Sequence, residues 1–161
     1  MLSQKSTKLV PVIIKIQYQF IKNVSAINQG SSKNHRVVVF NSEFNWKDIY
    51  FTVGSQKITE PKTHNDAGDL FTQKLSFNFP GDSSDYLDDL AELDQLPVIV
   101  RFEYNNGVVK LIGSLNIPGY FQSSAKSDAT STGDTFQFVC NAITRALLLE
   151  STTISNPPPE L

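Results

Sequence analysis

The chain has 161 residues, a formal net charge of −2, and 40% apolar, 19% charged and 11% aromatic residues. That length supports one well-buried core and a single domain, and that composition excludes a disordered or collagen-like chain. The single cysteine, Cys140, excludes an intrachain disulfide framework, and a pI near 5.6 argues against a binder of phosphate backbones.

Charge is unevenly spread along the chain. Residues 1–63 hold nine Lys/Arg against three Asp/Glu (+6), and residues 64–161 hold five against thirteen (−8). Two oppositely charged surfaces would suit head-to-tail self-association. The alternative is that the halves interleave in one fold and the charges mix, as distant strands usually do.

The N-terminal Met1–Lys8 is polar, and the apolar run Leu9-Val-Pro-Val-Ile-Ile14 is too short for a signal segment or a bilayer span. The expectation is a chain made and kept in a cytoplasm, or exported only within an assembly built there. Val12–Ile21 alternates, which predicts a half-buried strand with Ile14, Ile16, Tyr18 and Phe20 on one face. Lys15, Gln17 and Gln19 fall on the other face. Asn23–Lys33 reads as a polar loop, and its Asn23-Val24-Ser25 sequon is accidental without a secretion signal. Short strands are predicted at Arg36–Phe40 and Ile49–Val53, with Trp46 packing at a sheet end and Gly54-Ser55 closing the second. Thr59–Gly68, with Pro61, reads as an exposed loop.

Leu70–Phe79 alternates again, with Phe71, Leu75, Phe77 and Phe79 inward, and Pro80-Gly81 ends it. Asp82 or Ser83 then caps a short acidic helix over about 83–96, whose apolar face is Tyr86, Leu87, Leu90, Leu93 and Leu96. Pro97–Tyr104 and Val108–Ser114 flank Asn105-Asn106-Gly107, a strong hairpin signal because Asn and Gly tolerate positive φ. Asn116–Gly133 reads as a long loop of small polar residues, and loops of that length tend to be functional or disordered. Thr135–Ile143 returns to strand with Phe136, Phe138 and Cys140 on one side, and Arg145–Glu150 either extends it or forms a last turn. The fold class is mainly β: an antiparallel sandwich or barrel with one short helix. Residues 1–150 form a single domain, and 151–161, with Pro157-Pro158-Pro159, form a flexible tail.

Chemistry-bearing motifs are sparse. Asp82, Asp85, Asp88 and Asp89 lack the ligand order of an EF-hand and read as a solvated helix face. No phosphate-binding Gly-rich loop, His-Glu-x-x-His or Gly-x-Ser-x-Gly sequence is present. His35 and His64 sit in no motif, so Cys140 reads as a small core hydrophobe rather than a nucleophile. No catalytic residue, metal ligand or cofactor is assigned, and an enzyme is not expected.

Leu96-Pro-Val-Ile-Val-Arg-Phe102, Asn106-Gly-Val-Val-Lys-Leu-Ile-Gly113, Phe136-Gln-Phe138 and Arg145-Ala-Leu147, with Phe77-Asn-Phe-Pro-Gly81 before them, carry a resemblance. Over about 70–150, the chain resembles small virion proteins of tailed phages and prophages of gut Bacteroidota. The nearest class is the ring-forming neck and tail proteins of crAss-like podophages. The resemblance implies a structural β-sandwich or barrel repeated around a tail axis, assembled in the host cytoplasm and resident in the virion. The implied partners are copies of itself and other neck or tail proteins, with non-specific DNA in a tail lumen and no membrane. Subunit contacts are then expected in and beside the long loop, at Tyr120, Phe121, Ser124, Lys126 and Asp128. The alternative is a stand-alone sandwich that binds a glycan or peptide on an aromatic platform, for which Trp46, Tyr50, Tyr104 and Tyr120 are candidates.

Overall fold

Alternating apolar and polar residues fold into strands wherever a partner strand is available, and here they build two stacked sheets. The computed structural model describes residues 10–79, 91–127 and 132–154. Its strands are β1 (Ile13–Phe20), β2 (Val24–Gln29), β3 (His35–Phe40), β4 (Lys47–Asp48), β5 (Lys57–Thr59) and β6 (Lys62–Asn65). They continue with β7 (Gly68–Phe79), β8 (Val98–Tyr104), β9 (Val109–Ile112), β10 (Tyr120–Ser127), β11 (Thr132–Ala142) and β12 (Leu147–Ile154). One sheet runs β2-β3-β12-β9-β8-β1-β4 and the other β10-β11-β7-β5, with β6 also on β7. The fold is mainly β and sandwich-like, without a closed barrel. Its pairings are antiparallel except for β3 against β12.

The main core lies between the sheets. Ile16, Tyr18 and Phe20 of β1 and Val98, Val100 and Phe102 of β8 face Leu75, Phe77, Phe136 and Phe138 of the second sheet. Phe77 meets Phe136 edge-on at 5.8 Å, and Phe121 meets both Phe136 (5.1 Å) and Phe138 (5.2 Å). Burying each such ring contributes about 1.5–3 kcal/mol, so this aromatic block dominates the cohesion of the sandwich. Cys140 is buried in the same core, and its Sγ–H points to the Ile117 carbonyl at 3.4 Å.

A second, smaller cluster occupies the opposite face of the seven-stranded sheet: Val24, Val38, Phe40, Ile99 and Leu111. Trp46 packs on it, edge-on to Phe40 at 5.1 Å, with its Nε1–H donating to Thr152 Oγ1 at 2.9 Å. Trp46 directly precedes β4, yet β3 and β4 are five positions apart in the strand order. In a flat sheet five steps would span about 24 Å. The sheet is therefore strongly curled, and Trp46 bridges its concave side. Trp46 is a packing residue, as the sequence predicts.

The hairpin predicted over 97–114 forms as β8–β9. Gly107 N–H donates to the Tyr104 carbonyl at 3.0 Å, and Gly107 takes φ +86°, the left-handed position that closes a three-residue turn. β7 and β11 also form as expected, and Gly54, at φ +91°, sits in a turn closed by Ser55 N–H to the Thr52 carbonyl.

Several expectations need correction. In β1, the register shifts between Ile13 and Lys15. This bulge turns Ile14 outward (56% exposed) and Ile13 inward (4%), because one extra residue flips the alternation. Asn23–Lys33 is not a loop throughout: a single 3-10 turn (Ile21–Asn23) leads into β2, whose small polar residues conceal an edge strand. Ile49–Val53 is not a strand but a crossing from one sheet to the other, with Ile49 N–H on the Ile16 carbonyl and Thr52 N–H on the Asn78 carbonyl. Thr59–Gly68 holds β6, which turns tightly into β7 with Asn65 paired to Gly68. Most of Asn116–Gly133 is the β10–β11 hairpin, in register from Tyr120↔Val139 to Ser127↔Thr132.

Of the helix expected over about 83–96, residues 83–90 lie outside the described residues. Residues 91–93 are helical, the amides of Gln95 and Leu96 bond back to the Glu92 carbonyl, and Leu93 is buried. β12 reaches Ile154, four residues into the segment assigned to the tail, and pairs there with β3. Residues 155–161 lie outside the described residues.

Candidate functional site

Both sheets draw strands from both halves of the sequence, and in the seven-stranded sheet the halves interleave. The ion pairs Lys22–Glu92 (3.3 Å) and Lys62–Asp69 (2.8 Å) join one half to the other. Charge along the chain therefore does not translate directly into two charged faces. Lys62 and then His64 hold the Asp69 carboxyl below its ordinary range.

What distinguishes the surface is the unequal state of its sheet edges. Alongside β7, β5 and β6 form one broken edge, interrupted at Glu60-Pro61 and carrying Lys57 and Lys62. Proline, lysine and short strands all discourage a further strand from adding. The curled sheet ends in the two-residue β4 on one side and in β2, linked to β1 by one short turn, on the other.

β10 is different. It is eight residues long, contains no proline and has one lysine, Lys126. Among the described residues, β10 pairs with β11 alone. Its start is anchored because Gly119 and Val98 exchange two backbone bonds, at 2.8 and 2.9 Å, which stitch the sheets together at that corner. Gly113 makes that approach possible. It sits at φ +92°, and a Cβ there would lie 3.1 Å from Gly119 N and 3.2 Å from the Val98 carbonyl.

The expected contact residues distribute unequally around this strand. Tyr120 stands at its start, 56% exposed. Phe121 points the other way, is 6% exposed and belongs to the core, so its ring is withdrawn from any surface contact. Ser124 and Lys126 lie along the edge in register with Thr135 and Gly133. Asp128 lies outside the described residues. The four candidates for an aromatic platform do not form one. Trp46 is held by Phe40 and Thr152 under the Arg101 guanidinium (5.8 Å), while Tyr104 packs edge-on to Phe102 at 5.6 Å. Tyr50 is 69% exposed on the crossing between the sheets.

Two depressions flank the Ser114–Pro118 turn. The first, about 240 Å³, opens between the sheets, with Arg36 and Arg145 among its lining and Gln73 and Cys140 on its inner wall. Gln73 donates from Nε2 to the Thr144 carbonyl at 3.0 Å, while its buried Oε1 has no hydrogen-bond partner among the described residues. Burial pushes the Cys140 thiol up to about 11, which leaves it protonated and unsuited to nucleophilic work at neutral pH. The second, about 340 Å³, lies on the outer face of β10–β11 around Tyr120. Sequence reasoning named Tyr120 but missed Asn116, Gln122 and Asn141, which come together only through the β10–β11 register and the preceding turn.

Among the described residues, no group of three His, Cys, Asp or Glu side chains is placed to hold a metal ion, and no helix is long and apolar enough to cross a membrane. No protein-family model, no curated protein and no solved structure matches this chain.

Proposed function

We propose that this chain is a structural subunit that assembles with copies of itself into a closed ring in the neck or tail of a phage virion. The observation that carries the reading is the edge of β10, eight residues that pair with β11 alone among the described residues and show few of the features that natural sheets use to blunt an edge. A different segment of a neighbouring copy added there gains backbone hydrogen bonds, and because donor and acceptor surfaces then differ, the contact is head-to-tail and closes into a ring when its rotation permits. The resemblance of residues 70–150 to ring-forming neck and tail proteins supplies the setting: the virion, with other tail proteins above and below and DNA in the lumen.

Light scattering across a concentration series, followed by particle imaging, tests this directly. The expected result is a defined cyclic oligomer, alone or with neighbouring tail proteins. Gln122→Pro and Ser123→Pro sharpen the test. Adjacent strand residues point their N–H groups to opposite sides, so one variant deletes a bond to β11 and the other only an outward donor. The variant that stays folded should lose the ring. A ring that survives it would remove β10 as the contact, and a strict monomer inside an intact particle would overturn the whole reading.

A further inference from the structure

We infer that the outer face of β10–β11 around Tyr120 is a binding site for a neutral oligosaccharide, independent of the edge proposed for assembly. Tyr120 and Gln122 alternate with the inward Phe121, so both project from the same face. Tyr120 pairs with Val139 across the ladder, and Asn141 stands two residues further along β11. The Ser114–Pro118 turn brings Asn116 and Pro118 to the same depression. The result is an exposed phenol ring beside an apolar floor, with three carboxamides around it.

The hydrogen-bonding state of those carboxamides indicates what is missing. Asn141 Oδ1 accepts from Thr72 Oγ1 at 3.2 Å, and Gln122 Oε1 accepts from Gln137 Nε2 at 3.3 Å. In both, the acceptor is engaged inside the sheet and the NH₂ group remains to donate outward. Asn116 makes no side-chain hydrogen bond among the described residues and offers both a donor and an acceptor. No residue lining the depression is charged. A phosphate or carboxylate ligand would call for cations here, and a peptide strand would seek the edge of β10 rather than its face. A sugar fits both halves of the site: its C–H face lies on the Tyr120 ring, and its hydroxyl and ring oxygens accept from the amides.

The test is a printed array of neutral and acidic oligosaccharides probed with the full chain, followed by calorimetric titration of the best neutral binder. The acidic set is included because Lys74 stands opposite Val139 in the register. Neutral oligosaccharides should be retained. Tyr120→Ala should weaken binding at least about tenfold, Asn116→Ala about threefold or more, and Tyr120→Phe should bind as the parent does. Thermal unfolding should not move for Tyr120→Ala, since the ring is exposed. Retention of acidic sugars alone, no retention at all, or unchanged binding by Tyr120→Ala would overturn the proposal. So would a Tyr120→Ala variant whose only change is loss of self-association, which would make the patch a contact between copies.

Discussion

Trp46 gives the sharpest test of how the curled sheet is held. Three contributions are lost in Trp46→Ala: the half-buried ring, its edge-on contact with Phe40, and the Nε1–H bond to Thr152 Oγ1. Taken as roughly 1 kcal/mol each, they amount to about 3 kcal/mol of stability. Trp46→Phe keeps an aromatic ring on Phe40 and removes the bond to Thr152, so it should cost about 1 kcal/mol. For a chain of this size each kcal/mol lowers Tm by about 3 °C, which places the Ala variant near 9 °C down and the Phe variant near 3 °C. Urea unfolding followed by far-UV circular dichroism measures both. Trp46 is the only tryptophan, so in the parent its emission reports the same region independently. A double-mutant cycle of Trp46→Phe with Thr152→Val isolates the bond and should return a coupling of about 1 kcal/mol. An Ala cost below about 0.5 kcal/mol, or a coupling of zero, would refute the bridge across the concave face.

Other expectations follow from single residues. Ile14→Lys should change stability by less than about 0.5 kcal/mol, whereas Ile13→Lys should cost at least about 3 kcal/mol, because the bulge makes Ile13 the buried one. Equal costs in thermal unfolding would place the bulge elsewhere. Gly54→Ala and Gly113→Ala share a positive φ but differ in surroundings: open space at Gly54, backbone atoms within 3.2 Å at Gly113. The first should cost about 1 kcal/mol and the second about 3 kcal/mol by urea titration. Cys140 should resist a thiol reagent at pH 8 until denaturant is added. Its folded-state pKa of about 11 lies above the roughly 8.5 of an exposed thiol, so above the lower value the unfolded chain releases a proton that the folded chain keeps. That contribution to stability is complete at neutral pH and is lost as pH climbs from about 9 towards 11. Cys140→Ala should therefore show a shallower decline in this window, and an unchanged slope would contradict the buried thiol.

The candidate surface was only half legible in the sequence. An exposed tyrosine next to a small-residue segment can be picked out by type, and Tyr120 was. Its partners could not be, because Asn116, Gln122 and Asn141 carry no pattern of their own and lie up to 25 residues apart. Phe121 shows the converse. In a loop it would be free to make a subunit contact, but β10 is a strand with Tyr120 facing outward, so Phe121 faces the core. The segment 116–133 hid its strand for a simple reason. Ser123, Ser124, Ala125, Lys126 and Ser127 show no apolar alternation, and the strand is registered by its backbone pairing to β11.

Local patterning determined the elements that bury one face. Leu70–Phe79 and Thr135–Ile143 alternate large aromatics with polar residues, and the Asn-Asn-Gly turn closes Val98–Ile112 on itself, so each was readable without its neighbours. Tertiary structure alone decided the rest: the bulge that exchanges Ile13 for Ile14, the parallel pairing of β12 with β3, the curl bridged by Trp46, and the pairing of β10 with β11 alone among the described residues. The physical reason is range. Which face of a strand is buried follows from side chains two residues apart, whereas which strands become neighbours, and which is left with one, follows from backbone hydrogen bonds between segments as distant as 119 and 98, or 152 and 38.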